Sequence, residues 1–332
     1  MNWSEGEETR RRSGVLAGVA LSVAVFAGCV GPRAVTESAI RVGTYNIRLN
    51  TQERDPRNDW ADRRDDLVSF MKELDLDVFG MQEVCPEQAA YFREKLADWE
   101  FVGDHREADR VSGEASPVFY RKSRFEALRK GTFWLSETPD VPASKSWNTC
   151  CTRVCSYLVL KDRRTGKTFC FANTHTDHVS AEAREKGMLL IIERMKEFGA
   201  GAPIVFTGDH NNTEIEAPSL AVARVLKNAL YVTETPPEGP WRTWNGWRWR
   251  EHEVTTGQAL ELSKNVRNLT NNDEQGHRAD WFYFMAGGPR IDYIWVSDGV
   301  KVRDYATRGD ARPGTRLYPS DHFPVTATVE LP

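Results

Sequence analysis

Short polar motifs recur along the 332-residue chain in this order: Thr44-Tyr45-Asn46, Gln82-Glu83, Asn173-Thr174-His175, Gly208-Asp209-His210-Asn211, Arg290-Ile291-Asp292-Tyr293 and Ser320-Asp321-His322. Each follows or lies within an apolar, β-prone run, so strands can deliver carboxylates, amides and imidazoles to one common edge. A hard cation such as Mg²⁺ takes few protein carboxylates and leaves room for water and phosphate oxygens, so one well-placed glutamate, Glu83, is enough to nominate a site. Histidine titrates near neutral pH and can pass protons during attack or leaving-group departure. The inventory suits metal-assisted hydrolysis of a phosphate ester. Singly, each residue has a plainer reading: a strand-end Glu is usually a solvated charge, and Asp-x-Asn usually a turn. A lone His-Asp pair is usually a structural contact. Only their company and order reverse that reading.

The order and spelling of these motifs resemble the endonuclease/exonuclease/phosphatase superfamily. That group includes deoxyribonuclease I, the abasic-site endonucleases, the deadenylases, the neutral sphingomyelinases and the inositol polyphosphate 5-phosphatases. The resemblance spans residues 40–332. It implies a four-layer α/β/β/α sandwich of two mostly antiparallel sheets, deoxyribonuclease I-like, with the active site at one edge. It further implies that Asn46, Glu83 and Asp321 hold Mg²⁺, with Mn²⁺ as a substitute. Asp209 and Asn211 would orient the attacking water and bind a phosphate oxygen. His322 would act as acid or base, held in one tautomer by Asp292. His175 would contact the scissile phosphate, with Asn173 on its strand face as a substrate contact. Glu114 looks like the carboxylate behind His175, a loop charge being the alternative. The chain departs from the family pattern at His210, where an aromatic residue, often phenylalanine, is usual.

The elements that must carry these residues are legible as patterns. The alternating run at 40–45 predicts a strand ending in Asn46. Leu67, Phe70, Met71 and Leu74 recur three and four apart, as in a helix, before a buried strand at 77–81 that ends on Gln82-Glu83. Pro86 opens a second helix carrying Phe92, Leu96 and Trp99 on one face, and strands are expected near 101, 117–120 and 157–160. The strand at 168–172 leads to Asn173 and His175, which a period of two sets on one face. A helix from about Ser180 to Phe198, stopped by Gly199, precedes a buried strand at 203–207, and strands at 291–296 and 324–329 close the chain. Strands interspersed with a few long helices predict an α/β layered sandwich rather than an all-β domain.

Lys+Arg total 44 against 48 Asp+Glu, a net charge of −4, which argues against a broad basic surface made for duplex nucleic acid. Within 233–288 the run from Trp241 to Arg250 interleaves flat aromatics with arginines. That suits stacking on bases or sugars, unless the loop packs its own tryptophans. Residues 1–29 read as an export signal: Arg10-Arg11-Arg12, an apolar stretch from Val15 to Ala27, then Ala27-Gly28-Cys29, a lipoprotein-type box with Phe26 in place of the usual leucine. A linker at 30–39 would lead to a catalytic domain at 40–332. The expectation is a monomeric periplasmic or cell-surface lipoprotein, attached to the membrane through Cys29, with plain secretion or an uncleaved anchor as the alternatives. Beyond Cys29 the cysteines are Cys85, Cys150, Cys151, Cys155 and Cys170. The 150/151/155 cluster offers one disulfide, and no CxxC pair or Cys/His spacing suggests zinc. The expected substrate is a phosphodiester or nucleic acid, with a lipid or inositol phosphate as the chief rival. A non-catalytic binding protein is disfavoured because no motif residue has been replaced by an inert one.

Overall fold

In the computed structural model, residues 38–269 and 286–332 are described, so the expected export signal lies outside the described residues. Strands β1 (Ile40–Asn46), β2 (Val78–Gln82), β3 (Trp99–Val102) and β4 (Val118–Arg121) join two late strands, β11 (Lys301–Thr307) and β12 (Val325–Glu330), in a first sheet ordered β11-β12-β1-β2-β4-β3. The second sheet, ordered β5-β6-β7-β8-β10-β9, contains β5 (Phe125–Trp134), β6 (Val154–Asp162), β7 (Thr168–His175), β8 (Ile204–Asp209), β9 (Lys227–Asn228) and β10 (Asp292–Val296). Both are mixed sheets built on one plan. A parallel pair, β1 with β2 and β7 with β8, sits at the centre and every other neighbour runs antiparallel. Parallel neighbours need a crossover, here supplied by α1 (Trp60–Leu74) and α3 (Ala181–Phe198).

Period two sorts each strand between two faces. Val42, Val78, Phe169, Phe171, Val205, Ile294 and Val325 meet in the core between the sheets. Tyr45, Phe79 and Met81 turn outward onto Leu67, Phe70 and Met71 of α1 and Phe92 of α2 (Pro86–Lys95). Cys170, Ala172 and Phe206 turn outward onto Met188, Ile191, Ile192 and Met195 of α3 and Val222 of α4 (Ala217–Ala223). Helices, sheet, sheet and helices thus make the four expected layers. The described chain also contains the one-turn α5 (Ala229–Val232) and α6 (Thr256–Leu269), the latter within the irregular 233–288 segment.

Three strands escape the pattern reading, among them the two-residue β9. β5 and β11 are sheet edges that carry Arg129, Lys130, Lys301 and Asp304, so half-exposed charge masks their alternation. Trp99, expected on the second helix, instead begins β3, because α2 stops at Lys95.

Candidate active site

Along the face between the sheets, side chains change character toward one end. On β1 the series reads Val42, Thr44, Asn46; on β7 Phe171, Asn173, His175; on β8 Val205, Thr207, Asp209; and on the reversed β10 Val296, Ile294, Asp292. Register aligns them into rows. His175 pairs with Asp209 and Asp209 with Asp292 across the second sheet, while Asn46 pairs with Gln82 across the first. The apolar core passes through a polar layer into a buried ionisable cluster at one sheet edge.

Asp209 is its centre. Its Oδ2 accepts from the Asn46 amide nitrogen at 2.9 Å and lies 3.5 Å from His175 Nε2 and 3.7 Å from His322 Nε2. The same Asn46 nitrogen donates to Glu83 Oε1 at 2.9 Å, so one amide ties Glu83 to Asp209, while its oxygen accepts from the Arg48 backbone. His322 Nδ1 lies 2.9 Å from Asp292 Oδ2. Asn211, whose backbone N–H donates to Asp209 Oδ1, sets its amide 2.8 Å from His175 Nε2. Glu83 and Asn211 adopt φ of 63° and 49° just past their strands, a conformation L-residues rarely take and one that costs about 1–2 kcal/mol.

Burial and charge divide the roles. Asp209 is pushed up to about 7 by its burial and then by the Asp292 charge, against the pull of His322. Burial alone would lower His322, but the charge and hydrogen bond of Asp292, helped by Asp209 and Asp321, raise it to about 10. His175 is held well below its ordinary value by burial, and by Arg153, His322 and Arg106. One carboxylate near neutrality, one imidazolium and one neutral imidazole result.

For a divalent cation, the natural donors are the carboxylates of Glu83 and Asp321, both nearly buried. Arg48 approaches each at 3.9 Å, and Asp321 is raised by burial and by Glu83, against the nearby charges of His322, Arg48 and Arg63. These hard oxygens suit a hard divalent ion, and Asp209, Asp292 and His322 add a second cluster within 4.8 Å of one another.

Other predicted residues sit less directly. Glu114 lies near His175 but at 3.9 Å, beyond hydrogen-bond range, and pairs with Arg106 at 2.8 Å. Asn173 does not reach the cleft. Its amide is buried between the sheets, donating to Met81 O and Pro117 O at 2.8 and 3.0 Å and accepting from Gln82 at 2.6 Å. Gly80 makes that possible, since a Cβ there would overlap the Asn173 amide. His210 turns away and stacks between Phe206 and Tyr293, with ring centroids at 4.8 and 5.3 Å, as the aromatic ring usual at its position would.

Several positioning residues carry no motif. Arg63 of α1, fully buried, donates to the carbonyls of Ile47, Arg48, Asn58 and Pro319, joining the Glu83-facing loop to the Asp321 loop. In the Trp/Arg run, Trp241 and Arg242 are buried, and Arg242 pairs with Glu253. Thr243 Oγ1 accepts from the backbone of Ile291 and Asp292, and Asn245 donates to Ser320 O and Asp321 O. Much of that run braces the Asp292–His322 pair. Trp244 and Trp249 stay partly exposed.

Residues 43–322 match the model of the Endonuclease/Exonuclease/phosphatase family. The chain is similar to the solved endonuclease/exonuclease/phosphatase from Bacteroides vulgatus, at 30% identity and a TM-score of 0.73, over 89% of this chain and 100% of that one. It is also similar to a mannosyl-6-phosphatase from Bacteroides thetaiotaomicron, at 30% identity and a TM-score of 0.71, over 87% of this chain and 99% of that one. Human tyrosyl-DNA phosphodiesterase 2 is 22% identical over 157 residues, which make up 46% of this chain but only 38% of that protein.

Proposed function

The chain belongs to the endonuclease/exonuclease/phosphatase family of metal-dependent phosphoester hydrolases, and on that premise we propose that it is an exported, Mg²⁺-dependent phosphoesterase acting on a small phosphorylated substrate, such as a sugar phosphate. The observation that carries the reading is the Asp209 carboxylate, 3.5 and 3.7 Å from two imidazoles and tied through Asn46 to Glu83. The likeness to a mannosyl-6-phosphatase over nearly all of both chains supports a sugar phosphate, as do the net charge of −4 and the buried half of the Trp/Arg run.

Glu83 and Asp321, with Asn46 beside them, would hold the cation, which neutralises phosphoryl charge as a Lewis acid when bound. Asp209, near 7, takes a proton from the attacking water, and Asn211 orients the reacting groups. His322, charged at neutral pH, protonates the leaving oxygen, with Asp292 fixing its ring. His175, neutral, hydrogen-bonds a phosphate oxygen without repelling the metal. Residues 1–29 support export and tethering through Cys29.

A second reading, hydrolysis of a phosphodiester, is favoured by the exposed faces of Trp244 and Trp249, because Trp244 bridges directly to the backbone of His322. Chelated protein assayed with mannose 6-phosphate, bis(p-nitrophenyl) phosphate and single-stranded DNA, before and after Mg²⁺, separates the two. Phosphate release from the monoester alone is expected, and turnover of diester alone selects the second reading. Absence of metal-dependent turnover on all three, or full activity in E83A, D209A and H322A, overturns both.

A further inference from the structure

A second convergence of ligating side chains lies beside the first. Cys150 and Cys151, in the loop before β6, meet Asp177 and His178, which follow β7, across 27 residues of sequence separation. One ligand atom from each of the four lies within 4.8 Å of all the others. From Cys150 Sγ the distances are 3.4 Å to Cys151 Sγ, 2.9 Å to Asp177 Oδ2 and 3.6 Å to His178 Nδ1. In a tetrahedral Zn²⁺ site, ligand atoms stand roughly 3.3–3.8 Å from one another, given bonds of about 2.3 Å to sulfur and about 2.0 Å to nitrogen or oxygen. The sulfur–sulfur and sulfur–nitrogen separations fall within about half an ångström of that polyhedron, and the sulfur–oxygen separation, a thiol–carboxylate hydrogen bond, is about 0.6 Å short of it. Cys150 and Cys151 are not disulfide-bonded, and Asp177 is already anchored, its Oδ1 accepting from the backbone of Val179 and Ser180.

We propose that Cys150, Cys151, Asp177 and His178 form a structural site for a thiophilic divalent cation, Zn²⁺ or a close analogue, distinct from the oxygen-lined catalytic pocket. Two thiolates and an imidazole select a softer ion than the Glu83 pocket does. The ion clips the 149–151 loop to the turn that directly follows His175. His178 Nδ1 now lies 3.1 Å from Arg153, so binding through that nitrogen exchanges Arg153 for the ion.

Co²⁺ titration of the reduced full-length protein tests this. The proposal expects an intense ultraviolet sulfur-to-Co²⁺ charge-transfer band, which a catalytic site of oxygen and nitrogen donors cannot produce, and its displacement by Zn²⁺. The band disappears in C150S/C151S, and Co²⁺ affinity at that site falls at least about 10-fold in H178A. A silent thiolate region, or a band that survives C150S/C151S, overturns the proposal. So does a Cys150–Cys151 disulfide that persists, as a loss of two mass units, after reduction and Zn²⁺ addition.

Discussion

Replacing Asp292 by Asn keeps the side-chain shape but removes the charge 2.9 Å from His322 Nδ1. In the parent, His322 rises from 6.5 to about 10 despite its burial, so at about 1.36 kcal/mol per pKa unit the fold favours the imidazolium by about 5 kcal/mol. Without the largest upward cause, and with burial intact, His322 should titrate well below its value in the parent, though Asp209 and Asp321 still favour its charge. Stability follows the same sign. A histidine raised by folding contributes stability that is whole below pH 6.5 and is lost as pH climbs toward 10. The parent should therefore lose Tm between pH 6.5 and 9.5, and D292N should lose clearly less. Loss of the proton donor should lower kcat by about 10²–10⁴-fold. NMR titration of the histidine ring protons, calorimetry at the two pH values and steady-state kinetics read the three effects. A His322 in D292N that still titrates above pH 8, with kcat near the parent's, would refute the reasoning.

Glu83→Gln should retain the fold and weaken divalent-cation binding at least about 10-fold in calorimetric titration, with kcat/KM falling in step. Asn173→Ala strips a donor from Met81 O and one of two donors from Pro117 O, which keeps the Met81 N–H, at about 1–3 kcal/mol for a buried group left unpaired. Its Tm should drop by several degrees while KM stays within a few-fold, whereas a substrate contact would show the opposite split. His210→Phe keeps the stack and deletes two buried ring nitrogens that have no hydrogen-bond partner. Thermal melts should show a gain of about 1–3 kcal/mol with unchanged turnover.

Much of this arrangement was legible because strands announce themselves by period two and the candidate site residues sit where strands end. Asn46, His175 and Asp209 are strand-terminal and were found that way. The same rule misled at Asn173. Sharing a face with His175 set it two residues deeper, about 7 Å along the strand, where the opposing Gly80 leaves room for an amide tie and none for substrate. Which strands become neighbours was not readable, so the His175–Asp209–Asp292 row emerged only from the register. Thr243, Asn245 and Arg63 were invisible for another reason. They act through backbone carbonyls and amides, and no residue pattern advertises such contacts. The Cys150–His178 cluster likewise depends on a loop meeting a turn, so its ligands follow no motif spacing.

β12 lies between β11 and β1, and Ser320 Oγ donates to the carbonyl of Asn46 at 2.7 Å. A segment made late thus slots in beside the segment that starts the first sheet, and His322 arrives with it. While the polypeptide is still emerging from a ribosome, Glu83 and Asp209 lack the imidazole of His322. On the proposed mechanism the chain is latent in the meantime. Latency ends only when the strand next to His322 closes the sheet.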